Sequence, residues 1–166
     1  MANSFYLDAS ALAKRYVPEK GSALVDMILD TVPANRIYVL NIGAGEVVSI
    51  LVRKRNAGNI SIADFGMAMT NFESEITRAS AINKASVTSR LVTASFALII
   101  AHSINSTDAL LLKSALAIGR RLRAGGNDLV LVASDQRLLR AAATEGLTTF
   151  NPETQDQATL SALIGP

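Results

Sequence analysis

Short apolar runs alternate along this chain with longer stretches in which apolar residues recur every three or four positions. Phe5-Tyr6-Leu7, Arg36-Ile37-Tyr38-Val39-Leu40 and Leu129-Val130-Leu131-Val132-Ala133 have the first pattern and predict strands. The last is apolar at every position, as expected of a parallel strand covered on both faces. Helical spacing marks Ser10–Tyr16, Gly21–Asp30, Glu46–Arg55, Ser61 to about Ile76, Thr88–His102, a segment opening at Ser106 or Thr107, and Gln136–Thr144. Gly43 and Gly45 punctuate the end of the second strand, and Gly125-Gly126-Asn127 ends the segment begun at Ser106 or Thr107. Ser61 with Asp64 three residues on reads as a capping box. Residues 79–87 suit a short strand around Ala85-Ser86-Val87, and Gly146–Phe150 a last edge strand.

Strands separated by helices give an α/β fold, a single-domain sandwich with a central, mostly parallel sheet flanked by helices. The length of 166 residues and the lack of any linker-like stretch predict one domain over residues 1–152 and a C-terminal tail over residues 153–166. Aromatics make up only 5% of the chain, so Ala, Leu, Ile and Val must fill the core. The apolar run Leu91–Ile104 is too short for a bilayer and predicts a core helix, and nothing before Phe5 reads as a targeting segment. Absence of cysteine removes disulfides and thiolate chemistry, and suits a cytoplasmic location. A single histidine, His102, removes His-based metal cages. The net charge of +2 is too small to argue for a polyanionic ligand. Arg53-Lys54-Arg55 and Arg120-Arg121 with Arg123 read as solvated helix ends, where cations complement the helix dipole.

The placement of four acids changes this picture. Asp8 and Asp135 follow predicted strands, Glu46 begins a predicted helix, and Asp108 falls in the first turn of another. In an open parallel sheet, the carboxyl ends of strands and the amino ends of the following helices share one edge, where ligands bind. Taken singly, each acid is more readily a helix cap or a partner of the helix dipole. Taken together at one edge they would repel, and would suit a hard divalent cation, Mg²⁺ or Mn²⁺. Such ions activate water and stabilise a leaving oxygen in phosphodiester hydrolysis. Ser10 and Ser134 stand beside two of the acids, where a hydroxyl could orient a carboxylate or a phosphate oxygen.

The words around the acids resemble those of PIN-domain nucleases. Tyr6-Leu7-Asp8-Ala9-Ser10-Ala11-Leu12 is similar to the family's opening motif, and Gly45-Glu46-Val47 to its second acidic position. Thr107-Asp108-Ala109-Leu110-Leu111-Leu112 resembles the third motif and Val132-Ala133-Ser134-Asp135-Gln136-Arg137-Leu138 the fourth. The resemblance covers roughly residues 4–152. It implies a PIN-like sandwich and a Mg²⁺- or Mn²⁺-dependent endoribonuclease with Asp8, Glu46, Asp108 and Asp135 as catalytic and metal-holding residues. A chain of this size is most similar to the VapC toxins of toxin–antitoxin pairs. That likeness implies a homodimer silenced by a small antitoxin protein. The segment Ser61–Ser89 carries no motif of the family.

An RNA substrate must meet positive charge at the rim of an acidic cleft, and Lys14, Arg15, Arg137 and Arg140 are the candidates. Asp26, Asp64, Glu73 and Glu75 read as ordinary surface charge. A mean hydropathy of +0.29 suggests an apolar helix face covered by a second copy or an antitoxin. Three other readings compete. A haloacid-dehalogenase-type phosphatase would need an acid where Ser10 stands, and a receiver-like phospho-acceptor would need a lysine after a late strand where Ser134-Asp135 stands. A PIN-like module that binds RNA or protein without catalysis would have little use for four repelling acids. Within the nuclease reading, a PIN-domain RNA-processing nuclease outside a toxin system is the alternative to a toxin.

Overall fold

Three central segments that are apolar on both faces organise the molecule. The structure, a computed structural model, describes residues 2–165, so Met1 and Pro166, the outer ends of the expected domain and tail, lie outside the described residues. The strands are β1 (Ser4–Leu7), β2 (Ile37–Leu40), β3 (Asn83–Ala85), β4 (Leu129–Val132) and β5 (Thr148–Phe150). They form one sheet in the order β3-β2-β1-β4-β5, and every pairing is parallel. All four residues of β1, β2 and β4 are buried, as both-face coverage of a parallel sheet requires.

The helices are α1 (Ala9–Ala13), α2 (Ser22–Thr31), α3 (Gly43–Asn56), α4 (Ile62–Phe72), α5 (Ser89–His102), α6 (Ser106–Ala124), α7 (Gln136–Thr144) and α8 (Gln157–Ile164). Alternation along the strands builds a core on each face of the sheet. Phe5, Leu7, Val39, Val130 and Val132 pack with residues of α1–α4 and with Leu160 of α8. Tyr6, Tyr38, Leu40, Leu129 and Leu131 pack with α5, α6 and α7. The Tyr6 hydroxyl is buried against Ser114 Oγ of α6 at 2.7 Å, which satisfies the one polar atom of that large ring.

Several predicted boundaries move. The glycines after β2 do not end a segment but open α3, which starts three residues before Glu46. Glycine is tolerated in a first turn, where the amides have no intrahelical partners. The third strand is Asn83–Ala85 rather than Ala85–Val87, because its register is set by pairing with Tyr38–Leu40. Asn105, not Ser106 or Thr107, caps α6. The helix predicted over Ser61–Ile76 is α4 with its Ser61–Asp64 capping box, continued by a π-helical turn at Glu73–Thr77.

Residues beyond Pro152 include a docked helix. Leu160 is fully buried, and Asn3 Nδ2 donates to the Leu163 carbonyl at 2.8 Å. Gly21, with φ of +90°, passes so close that a Cβ there would stand 2.7 Å from the Pro152 carbonyl oxygen. Only glycine combines that conformation with that approach. No single helix among the described residues is long and apolar enough to cross a membrane; α5 and α6 together are apolar but meet at a bend of 109°.

Candidate metal and active site

Asp8 extends the central strand β1, its amide donating to the Val132 carbonyl at 2.9 Å. Its carboxylate caps α1 by accepting from the Ser10 amide at 3.2 Å and from the Ser10 hydroxyl. Asp135 follows β4 and caps α7, accepting from the amides of Arg137 and Leu138 at 2.7 and 3.1 Å. Asp108 occupies the third position of α6. Its amide donates to Asn105 Oδ1 at 2.8 Å, and Asn105 Nδ2 donates back to its carboxylate at 2.7 Å. Glu46 lies in the first turn of α3. Asp8 and Asp135 thus have the capping roles that each alone suggested, while Asp108 and Glu46 stand in first turns where the helix dipole favours an acid.

Capping is not the whole account, because the sheet brings all four acids into one cleft. Asp8, Ser10, Glu46, Asp108, Ser134 and Asp135 line a cavity of about 580 Å³ at the carboxyl edge of the strands. The six come from both cores and from segments far apart in sequence, and only the parallel topology puts them together. Ser49, Ile50 and Arg53 of α3 complete the wall. Arg53 is exposed in the last turn of α3, as its sequence neighbours suggest, and it also faces the acids across the cleft. It stands seven residues after Glu46, two helical turns along the same face, and that spacing was the available signal.

The electrostatics follow from burial and mutual repulsion. Burial raises the Asp8 carboxyl above the ordinary carboxylate range despite the Ser10 bonds, and Asp135 adds to the rise. Burial raises Glu46 as well, with Asp8 adding to it. Asp108 is pushed up to about 6, first by burial and then by the charges of Asp8, Asp135 and Glu46; Arg137 partly opposes this. Ionising such a group is costlier in the folded chain than in the unfolded one. Its contribution to stability is therefore present at low pH and lost as pH rises from the ordinary value of 3.8 through about 6. For the half-exposed Asp108, solvent screening leaves about 1–2 kcal/mol of that effect. In chelator, the melting temperature is expected to fall over this window, and to fall less in Asp108→Asn. An equal slope in the two proteins would contradict the assignment.

The donor set suits a hard divalent cation. It consists of carboxylate and hydroxyl oxygens; the buried Ser134 hydroxyl makes no hydrogen bond among the described residues, and the Glu153 carboxylate lies near enough to be lowered by it. Among the described residues, no three His, Cys, Asp or Glu side chains form a ready-made metal cage. That is compatible with Mg²⁺, which takes one or two carboxylates directly and keeps several waters.

The expected RNA-facing cations divide. Arg137 and Arg140 are exposed on α7, and Arg137 is close enough to Asp108 to influence it. Lys14 and Arg15 are not free at the rim. Lys14 is buried and pairs with Glu19 at 2.9 Å and Glu153 at 2.6 Å. Arg15 pairs with Asp26, Asp30 and Glu75 at 3.2, 2.9 and 3.3 Å. Asp26 and Glu75 are at the surface, as expected, and both pair with Arg15. Both cations follow the short α1, which turns them away from the cleft and toward α2 and the segment after Pro152.

No protein-family model and no curated protein matches the chain. Solved structures do. PAE2754 from Pyrobaculum aerophilum superposes with a TM-score of 0.63 at 17% identity, covering 98% of this chain and 96% of that one. FitAB bound to an IR36 DNA fragment gives 0.64 at 14% identity over 92% of this chain and 98% of that one. FitAcB from Neisseria gonorrhoeae gives 0.59 at 16% identity over 91% and 99%. Near-complete coverage in both directions at these scores means that the overall fold is shared along nearly the whole of each chain. The chain has the PIN-like α/β fold.

Proposed function

We propose that this chain is a Mg²⁺- or Mn²⁺-dependent endoribonuclease and the toxin of a toxin–antitoxin pair. The observation that carries the reading is the convergence of Asp8, Glu46, Asp108 and Asp135 on one cleft, with three of the four carboxyls raised by burial and by one another. Asp8, Glu46, Asp108 and Asp135 would hold the ion, and a bound ion would supply Lewis acidity for attack of water on a phosphodiester. Ser10 fixes the Asp8 carboxylate by donating to it. The Ser134 hydroxyl, which makes no hydrogen bond among the described residues, would be available to a phosphate oxygen or a water. Arg53 and Arg137, beside the acids, would hold the phosphates that enter.

The test is incubation of purified protein with single-stranded RNA in Mn²⁺ or in chelator. Cleavage only with the metal is expected; equal cleavage in chelator would refute the mechanism. An antitoxin partner is supported by the structural likeness to FitAB and FitAcB. A homodimer is supported by Val92, Phe96 and Ile100, which recur every four residues on α5 and are 37%, 51% and 82% exposed. Sedimentation should show a dimer that Phe96→Lys combined with Ile100→Lys turns into a monomer. A monomeric wild type would remove the dimer from the proposal.

A further inference from the structure

A second large cavity, of about 640 Å³, lies on the other face of the sheet between β3, α5 and α6. Lys84, Arg90, Lys113, Arg120 and Arg121 line it, and no Asp or Glu does. Lys84 Nζ donates to the Ala79 carbonyl at 2.6 Å. None of the other four cations takes part in an ion pair or a side-chain hydrogen bond among the described residues. Four cations converging without a carboxylate repel one another, and the arrangement is relieved by an anion. The helix dipole explains only part of it. Arg121 is in the last turn of α6, where a cation is favourable. Lys113 is in the middle of that helix, and Arg90 is the second residue of α5, at the end where the dipole disfavours positive charge.

The groove also has a direction. Ser86 and Thr88, which line it, directly follow β3 and so stand at the same sheet edge as the acidic cleft. Helix α6 carries Asp108 in that cleft and Arg120 some twelve residues on, about 18 Å along its axis.

We propose that this groove is a track for the phosphodiester backbone of an RNA strand, holding nucleotides outside the acidic cleft through Arg90, Lys113, Arg120 and Arg121. The proposal rests on the nuclease reading, since it assigns a further length of the same substrate. Phosphate contacts of this kind bind without reading sequence and weaken steeply with salt.

The experiment measures binding of a labelled single-stranded RNA in chelator, so that no cleavage intervenes, across a salt series. Arg120→Glu combined with Arg121→Glu, both exposed positions, should weaken binding about tenfold and make the salt dependence shallower by about 0.7 in slope for each phosphate no longer neutralised. Arg120→Lys with Arg121→Lys should restore most of the affinity, and melting curves should match the wild type. Cleavage of long RNA should fall through KM, while a dinucleotide confined to the acidic cleft should be cut at the wild-type rate. Unchanged binding by the charge-reversed protein overturns the track and leaves the nuclease reading standing. A wild type that neither binds nor cuts RNA overturns both. Displacement of RNA by equimolar inorganic phosphate or mononucleotide would assign a small phosphate ligand instead. A change in sedimentation on charge reversal would assign the face to a second copy, and either result overturns the proposal.

Discussion

Asp8→Asn is expected to lower metal-dependent RNA cleavage by about a thousandfold while raising the melting temperature of the metal-free chain. The two halves of this result have one cause. Asp8 stands at the end of the central strand, buried, with its carboxyl raised above the ordinary range first by that burial. Asparagine retains an oxygen that can accept from the Ser10 amide, so α1 keeps its cap, and Asn and Asp are equivalent in that role. What asparagine cannot do is carry the negative charge that holds a divalent ion. A carboxyl with a raised value disfavours the folded state once ionised, so its loss relieves the fold at neutral pH. A residue retained only as a helix cap would show neither effect. Cleavage in Mn²⁺ and melting in chelator measure the two halves separately. Retained cleavage, or a large drop in melting temperature, would place the role of Asp8 in structure.

Leu160→Ala should destabilise the chain by about 2–4 kcal/mol, although Leu160 does not line the acidic cleft and lies beyond the last strand. Leu160 is fully buried against the core that contains Phe5, Leu7 and Val130. Truncation removes apolar contacts and leaves a cavity that α8, pinned by the bond from Asn3 to Leu163, cannot easily collapse into. In a chain of this length each kcal/mol moves the melting temperature by about 2–4 °C, so a loss of roughly 5–15 °C is expected. A change of less than a degree or two would mean that α8 is detachable. Lys14 points the same way, since its pairing with Glu153 ties α1 to the segment that leads into α8. Burial alone would lower the Lys14 ammonium, but the hydrogen bonds to Glu153 and Glu19 outweigh that and raise it.

The acidic cleft and the cationic groove place opposite charges on one molecule of small net charge, and α6 contributes to both. A net charge of +2 hides this, because a sum over the chain erases an arrangement in space. By sequence alone Arg120 and Arg121 are a solvated helix end; the fold sets Lys113 and Arg90 beside them. Arg53 is a similar case, since the packing of α3 against the sheet edge puts an exposed last-turn arginine in one cavity with the acids.

Local pattern was sufficient for β1, β2 and β4, because a strand covered on both faces must be apolar at consecutive positions, and each of those segments is. It was sufficient also to bring Asp8, Glu46 and Asp135 to one sheet edge, since each follows a parallel strand or lies in the first turn of the next helix; Asp108 lies in α6, which follows the helix α5, and its place depends on how that pair packs on the sheet. Periodicity says nothing about segments whose partners are distant. Asn83–Ala85 has no strand pattern of its own, and its place comes from backbone pairing with β2. The helix Gln157–Ile164 has only Leu160 fully buried, so its docking depends on a surface built by other parts of the chain. Lys14 and Arg15 escape a sequence reading for the same reason. Their charge is plain, but the direction of a side chain after a five-residue helix depends on which acids the packing of α2 and the segment after Pro152 brings within reach.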